Sequence, residues 1–296
     1  MRFDNYHPAI NFIYFVTAIT GCLCFRHPVF LAVSYMSAFL YSVKLNGWKS
    51  FVFNIGLIPV MILYALFYAS YNHFGITNLK TNFIGNQITL ESLIYGVALS
   101  VSLASAIMFF SCMFAVVSTD KIIYLFGKIS PRLSLFLAVF LRSVPRIKQR
   151  GKRIELSRKG VGRGCFQGNI FGRIKNCCAF VSILITWTIE EFMETASSMK
   201  SRGYTLKGRT AFSIYRFDNR DRCFVVTIFL CLVMMAAAVV LDQTYIYYEP
   251  EIIMNRITAI SWIFYISYAV LLLLPTILQT AGEIRFKQQQ KKNYLT

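Results

Sequence analysis

The sequence predicts an all-α, polytopic membrane protein with about six transmembrane helices, and two observations carry this prediction. First, 56% of the 296 residues are apolar and only 15% are charged, with a mean hydropathy of +0.53. A soluble domain is usually about 45–50% apolar and about 25% charged. Second, several apolar runs approach or exceed the roughly 20 residues that cross a bilayer.

Six apolar stretches are predicted to span the membrane, at residues 9–25, 29–43, 51–71, 92–117, 223–241 and 257–280. The connections between them alternate between basic segments and segments with few or no basic residues. Lys/Arg-rich connections lie on the cytoplasmic side of membrane proteins. This rule places both termini in the cytoplasm and is satisfied by every basic connection except the short one at Arg26.

Positive charge is concentrated between Ser118 and Arg222, which hold 21 of the 31 basic residues against 7 acidic ones. Basic patches can bind nucleic acid, but cytoplasmic placement beside a membrane explains this charge without a nucleic-acid partner. We therefore divide the chain into N-terminal transmembrane helices 1–4 (1–117), a cytoplasmic module of long amphipathic helices (118–222), and transmembrane helices 5–6 with a basic tail (223–296).

The residue types that carry catalysis or bind metals are scattered. The eight cysteines contain no C-x-x-C pair, and the three histidines are far apart in sequence. Gly127-Lys128 lacks both the upstream glycine and the following Ser/Thr of a phosphate-binding loop. We therefore predict no catalytic residue, no metal site and no cofactor in this chain.

The first amphipathic helix of the module carries two opposed faces. Its apolar residues and its arginines each fall within about 80° on a helical wheel; they are Phe140, Val144, Ile147 and Ile154 on one side, and Arg142, Arg146, Arg150 and Arg153 on the other. Such a helix can simply lie on an anionic membrane surface. A glycine-rich loop from Gly160 to Gly168 is predicted to follow it.

A second amphipathic helix is predicted over residues 176–202, with Gly203 as the glycine that follows its end. One face carries Ile185, Ile189, Phe192, Ala196 and Met199, and the opposite face carries Glu190, Glu194, Ser197 and Ser201. Unpaired charge near a bilayer is costly. We therefore expect the carboxylates at 190, 191 and 194 to pair with arginines of the first amphipathic helix.

The segment EEFMETASSMKSRGY (residues 190–204) resembles the end of the last coupling helix in the transmembrane T component of energy-coupling factor (ECF) transporters, which are ABC-type importers. The family's Ala-Arg-Gly signature corresponds to Ser201-Arg202-Gly203. The segment from Ser118 to Ile154, including Pro145, resembles the region before the family's first signature. That signature falls at Arg158-Lys159-Gly160, where Lys159 replaces the arginine.

The resemblance implies a coupling subunit for uptake of a vitamin or metal ion across a bacterial or archaeal cell membrane. Two partner ABC-type ATPase subunits would bind ATP and Mg and contact Arg158, Lys159, Gly160, Ser201, Arg202 and Gly203. This chain itself would be no enzyme and would hold no cofactor. A membrane-embedded, substrate-binding S component would face Phe140, Val144, Ile147, Ile185, Ile189 and Phe192.

Three other interpretations remain open on the residues alone. The arginines could be ordinary anchors at the membrane interface. The chain could be an integral-membrane enzyme that binds anionic lipid headgroups through its arginine stripe, although that stripe has no histidine near it. It could also be a stand-alone secondary transporter, which would usually carry charges within its spans.

Overall fold

A computed structural model describes residues 3–72, 74–81, 87–204, 206, 215, 217–255 and 257–293. Within these residues the chain is almost entirely helical, which confirms the predicted all-α class. The helices are α1 (Pro8–Cys24), α2 (Pro28–Asn46), α3 (Trp48–Tyr71), α4 (Leu90–Val116), α5 (Thr119–Ile129), α6 (Pro131–Gly160), α7 (Ile170–Ser201), α8 (Asn219–Val240) and α9 (Ala259–Asn293). Two short antiparallel hairpins complete the fold, formed by β1 (Asn78–Thr81) with β2 (Gln87–Thr89) and β3 (Ile246–Tyr247) with β4 (Ile253–Met254).

The chain divides into two compact units. The first comprises Met1–Ser118 and Tyr215–Thr296 and contains α1–α4, α8 and α9. The second comprises Thr119–Ile214 and contains α5, α6 and α7. Residues 205 and 207–214 of the predicted 118–222 module lie outside the described residues, as does residue 216.

Six described helices are long and apolar enough to cross a membrane, which supports a multi-pass membrane protein; they are α2, α3, α4, α7, α8 and the part of α9 that ends at Gln290. These six helices differ from the six predicted spans in two places. Helix α1 has 17 residues and falls among the shorter apolar helices. Helix α7, predicted to be cytoplasmic, meets the length and composition of a span.

Helix α7 begins at Ile170 rather than at the predicted residue 176, and this correction explains its added length. The Asn169 side chain accepts a hydrogen bond from the Ile170 amide at 3.1 Å and so caps the helix. Gly168, immediately before the cap, has a φ of +94°, which glycine adopts readily. The earlier start adds Ile170, Phe171 and Ile174 to the apolar surface of the helix.

Helix α4 is the central helix of the first unit, since it packs against α1, α2 and α3. Small buried residues recur along it at four-residue intervals: Ser92, Gly96, Ser100 and Ala104. A Cβ atom added to Gly96 would lie 2.9 Å from the carbonyl oxygen of Ala65 on α3. The backbones of α3 and α4 therefore pass in direct contact, as small residues permit between membrane helices.

Tyrosine and serine hydroxyls join the helices of the first unit across its core. Tyr14 of α1 donates to the carbonyl oxygen of Leu272 on α9 at 2.9 Å. The hydroxyls of Ser34 on α2 and Tyr268 on α9 lie 2.7 Å apart. Because water is absent from a hydrocarbon core, such polar groups need partners within the protein.

Arg26, a basic residue on the side predicted to be external, is held by aromatic residues. Its guanidinium hydrogen-bonds to the hydroxyl of Tyr95, and its central carbon lies 5.2 Å from the centroid of that ring. The Tyr248 hydroxyl donates to the Arg26 carbonyl oxygen at 3.0 Å. A cation over an aromatic face is stabilised by the electrostatic field of the ring, so Arg26 has a structural role in its loop.

We expect Gly96→Leu to destabilise the first unit by about 1–3 kcal/mol, because the new side chain would push the α3 and α4 backbones apart. The thermal unfolding midpoint of the purified protein in detergent would report this loss. Gly56→Leu is the matched control, since a Cβ atom at Gly56 meets no atom within 4 Å. Equal midpoints for the two variants would contradict close packing at Gly96.

Candidate functional site

Helices α6 and α7 pack side by side in opposite directions within the second unit. Gly151 lies where the two helices meet, because a Cβ atom added there would be in van der Waals contact with Phe180, 3.6 Å from its Cζ atom. The side chain of Arg150 reaches the carbonyl oxygen of Trp187 at 3.5 Å. Nearer the end of α6, Arg158 reaches the carbonyl oxygen of Asn176 at 3.4 Å. The two helices are therefore antiparallel.

Glu191 of α7 forms the ionic contact between these helices. Its carboxylate oxygens lie 3.2 Å from Nη1 of Arg146 and 2.7 Å from Nη1 of Arg150, one helical turn apart on α6. The Glu191 side chain is only 16% exposed. The predicted pairing between helices is confirmed for Glu191; among the described residues, Glu190 and Glu194 have no cation within 4.0 Å.

Helix α6 ends in a cationic tip, which we call the first tip: Arg158, Lys159 and Arg163. Gly162 has a φ of +75°, and its amide donates to the Lys159 carbonyl oxygen at 3.1 Å. The Arg163 amide donates to the Arg158 carbonyl oxygen at 2.9 Å. These two bonds are the Schellman motif, which satisfies carbonyl groups at a helix end.

Helix α7 ends in the same motif, and its cations Lys200 and Arg202 form the second tip. Gly203, at a φ of +79°, donates its amide to the Lys200 carbonyl oxygen at 3.1 Å, and Tyr204 donates to that of Met199 at 3.2 Å. The prediction that Gly203 follows the helix end is confirmed. Cations at these positions also interact favourably with the helix dipole.

The two proposed signatures occupy different positions at their helix ends. At the end of α7, Arg202 is the C-cap residue, and Gly203 follows it with a positive φ. The equivalent positions after α6 are Val161 and Gly162. Lys159-Gly160 therefore lies two residues earlier, inside the last turn of α6, and the Lys159 side chain leaves its helix at a different angle from that of Arg202.

Arg158 and Lys159 have different surroundings. Arg158 is half-buried, and its guanidinium donates to the carbonyl oxygens of Arg163 at 3.3 Å and Asn176 at 3.4 Å. Lys159 is exposed and pairs with Glu155, one turn earlier on α6, at 3.0 Å. Exposed pairs of this kind contribute little and exchange readily. Lys159 is therefore the more available cation for a partner protein.

The loop between the helices is folded against them by two amide side chains that the sequence analysis did not single out. The side-chain oxygen of Gln167 accepts from the Gly164 amide at 2.9 Å. The Asn176 amide group donates to the carbonyl oxygens of Gly164 and Gln167, each at 3.4 Å. Burial within this loop raises the pKa of the Cys165 thiol, which is therefore protonated at neutral pH.

An open groove of about 450 Å³ runs between α6 and α7 beside the second tip. Its charged lining residues are Arg142, Arg146, Glu191, Glu194 and Arg202. Arg202 is exposed, and among the described residues no carboxylate lies within 4.0 Å of it. Its guanidinium is therefore positioned to receive an acidic group from outside the chain.

The two tips lie at opposite ends of the helix pair. The first tip lies beside the beginning of α7, because its Arg158 contacts Asn176 there. At a rise of about 1.5 Å per residue, Arg202 lies roughly 40 Å farther along α7. One small contact surface on a partner could not reach both tips.

The apolar residues predicted to face a partner are mostly exposed. Phe140, Val144, Ile185 and Ile189 are 50–51% exposed, and Phe192 is 37% exposed at the edge of the groove. Ile147 is half-buried, and Ile154 farther along α6 is buried. The apolar face of α6 is therefore exposed near its middle and covered near its C-terminal end.

Helix α7 has no buried residue along its 32-residue length. Its apolar side chains include Ile174, Val181, Ile185 and Ile189, all at least 44% exposed. A helix with this much uncovered apolar surface normally contacts lipid or another protein.

Neither a protein-family model nor a curated protein matches this chain. Among the described residues, no three His, Cys, Asp or Glu side chains are grouped as metal ligands would be.

We expect Glu191→Gln to loosen the contact between α6 and α7, because one substitution removes both ionic contacts while keeping the side-chain shape. A double-mutant cycle with Arg150→Met should give a coupling energy of about 1 kcal/mol in unfolding experiments. Glu190→Gln is the matched control, since this exposed neighbour has no cation within 4.0 Å among the described residues. Additive effects of Glu191→Gln and Arg150→Met would contradict a stabilising pair.

Proposed function

We propose that this chain is the transmembrane T component of an ECF-type ABC importer, which passes ATP-driven movement of two ATPase subunits to a substrate-binding S component. One observation carries the proposal: two antiparallel helices end in similarly capped cationic tips roughly 40 Å apart. Two like ATPase subunits need two separate contact points of this kind. The chain would lie in a bacterial or archaeal cell membrane with both termini in the cytoplasm.

The second tip supplies one ATPase contact through Arg202. A planar guanidinium can bind a carboxylate through two hydrogen bonds, and Arg202 has no carboxylate within 4.0 Å among the described residues. Its backbone is fixed by the Schellman motif at the end of a long helix. A push on this end would therefore be transmitted along α7.

The first tip supplies the other contact through Lys159, with Arg158 as a support. Arg158 already binds two carbonyl oxygens of this chain, so it is less free to bind a partner. Lys159 is exposed, and its pair with Glu155 is weak enough to be exchanged for a partner's carboxylate. The structure thus favours Lys159 over Arg158 for the first ATPase contact.

The S component would cover the apolar surface of the second unit. Ile185 and Ile189 on α7, with Phe140 and Val144 on α6, expose about half of each side chain. A partner that is itself embedded in the membrane suits this surface, because its own exterior is apolar. In this proposal ATP and Mg belong to the ATPases, and the S component selects the vitamin or metal ion.

Arg202→Glu should abolish co-purification of the ATPase subunits and leave the thermal unfolding midpoint of the chain unchanged. Loss of a buried charge pair at an interface costs about 2–5 kcal/mol, which weakens binding by about 30-fold or more. The measurement is affinity purification of the tagged, detergent-solubilised chain with Mg-dependent ATPase activity as the readout. Lys200→Glu is the matched control, because it makes the same charge change two residues away and outside the groove. Full ATPase retention by the Arg202 variant would overturn the proposed contact.

Lys159→Glu should weaken ATPase binding more than Arg158→Ala, whose main effect should be a lower unfolding midpoint through loss of its contacts with the loop and with α7. Lys152→Glu, at an exposed position on the same helix, is the control for charge reversal alone. If Arg158→Ala removed the ATPases while Lys159→Glu retained them, the assignment of the first contact would be reversed. If neither variant changed binding, the first tip would have no part in it.

A further inference from the structure

A groove of about 870 Å³ opens between α8 and α9 in the first unit. Its walls are formed by Phe224 and Thr227 on α8 and by Leu274 and Leu278 on α9. Ala281 and Gly282 also line it, and because they are small they leave this part of the space unfilled. Most of the groove surface is therefore apolar, in a part of the molecule made of two candidate membrane spans.

Two arginines stand at one end of this groove. Arg220 lies in the first turn of α8, immediately before its apolar stretch, and Arg285 lies just after the apolar stretch of α9. Since α8 and α9 pack together and run in opposite directions, these positions meet at the same face of the membrane. Lipid phosphates lie at this depth, where apolar sequence gives way to charged sequence.

The N-terminal segment forms the third side of the groove. The ring of Tyr6 lies 5.3 Å from that of Phe224, and Tyr6 lines the groove beside Arg220. Its phenol hydroxyl can donate a hydrogen bond, as the two guanidinium groups can. The groove thus combines hydrogen-bond donors and positive charge at one end with an apolar channel that leads toward the membrane interior.

We propose that this groove binds one anionic phospholipid, with its phosphate between Arg220 and Arg285 and an acyl chain along Phe224, Leu274 and Leu278. Charge complementarity selects the anionic headgroup, and guanidinium groups bind phosphate oxygens strongly. The apolar walls select a lipid over a soluble phosphate, because burial of an acyl chain contributes for each methylene removed from water. The site is separate from the two tips and does not depend on the proposed transport function.

Native mass spectrometry of the purified, detergent-solubilised chain tests this site with phosphatidylglycerol and phosphatidylcholine supplied one at a time. The wild-type chain should retain one phosphatidylglycerol molecule and at least tenfold less phosphatidylcholine. Arg220→Gln/Arg285→Gln should lower phosphatidylglycerol retention at least tenfold. The matched control is Arg222→Gln/Lys287→Gln, which removes two nearby exposed charges outside the groove and should retain the lipid.

Two further arms separate the headgroup from the acyl chain. Excess glycerol phosphate should leave the bound phosphatidylglycerol in place, and displacement would overturn the role given to the apolar walls. Ala281→Phe, which places a large side chain in the groove and keeps both arginines, should also lower retention. Equal loss in the two double variants would indicate attraction by general surface charge and overturn the site. Equal retention of the two lipids by the wild-type chain would overturn its selectivity.

Discussion

The separation of the two cationic tips depends on the contact that Glu191 makes with Arg146 and Arg150. This contact joins α6 and α7 side by side in opposite directions. An antiparallel pair necessarily places its two C-terminal ends far apart. The same arginines that make α6 basic are thus partly used to fix the geometry, and fewer of them remain for partners.

The geometry separates structural cations from available ones. Arg146, Arg150 and Arg158 bind groups on α7 or in the loop, whereas Arg202 faces an open groove. The cations of the second unit therefore have different roles. The apolar residues divide in the same way, since Ile154 is buried while Phe140 remains half exposed. The remaining exposed apolar surface, chiefly on α7, is what a membrane partner would cover.

The sequence predicted the elements of the fold well where local chemistry determines them. Gly203 follows the end of α7 as predicted, because glycine readily adopts the left-handed backbone conformation that ends a helix. The cost of unpaired charge near a bilayer predicted ion pairs for Glu190, Glu191 and Glu194, and among the described residues only Glu191 forms them. Each of these inferences needed only neighbouring residues or a general constraint on charge.

Other features depended on contacts that the sequence does not display. The start of α7 at Ile170 rests on the Asn169 cap, which reads in the sequence as one more polar loop residue. The different roles of Arg158 and Lys159 depend on which side of α6 faces Asn176. The sequence does not show that Gly151 lies where the two helices meet, because a glycine can occur within a helix for several reasons.

Photo-crosslinking from both tips at once tests the central claim most directly. A photoreactive amino acid at Gly160, where an added Cβ atom meets no atom within 4 Å, would sample the first tip, and one at the exposed Ser201 would sample the second. The account predicts an ABC-type ATPase adduct from each position alone and a species with two ATPase subunits when both positions are substituted. Adducts only with lipid at both positions would contradict it.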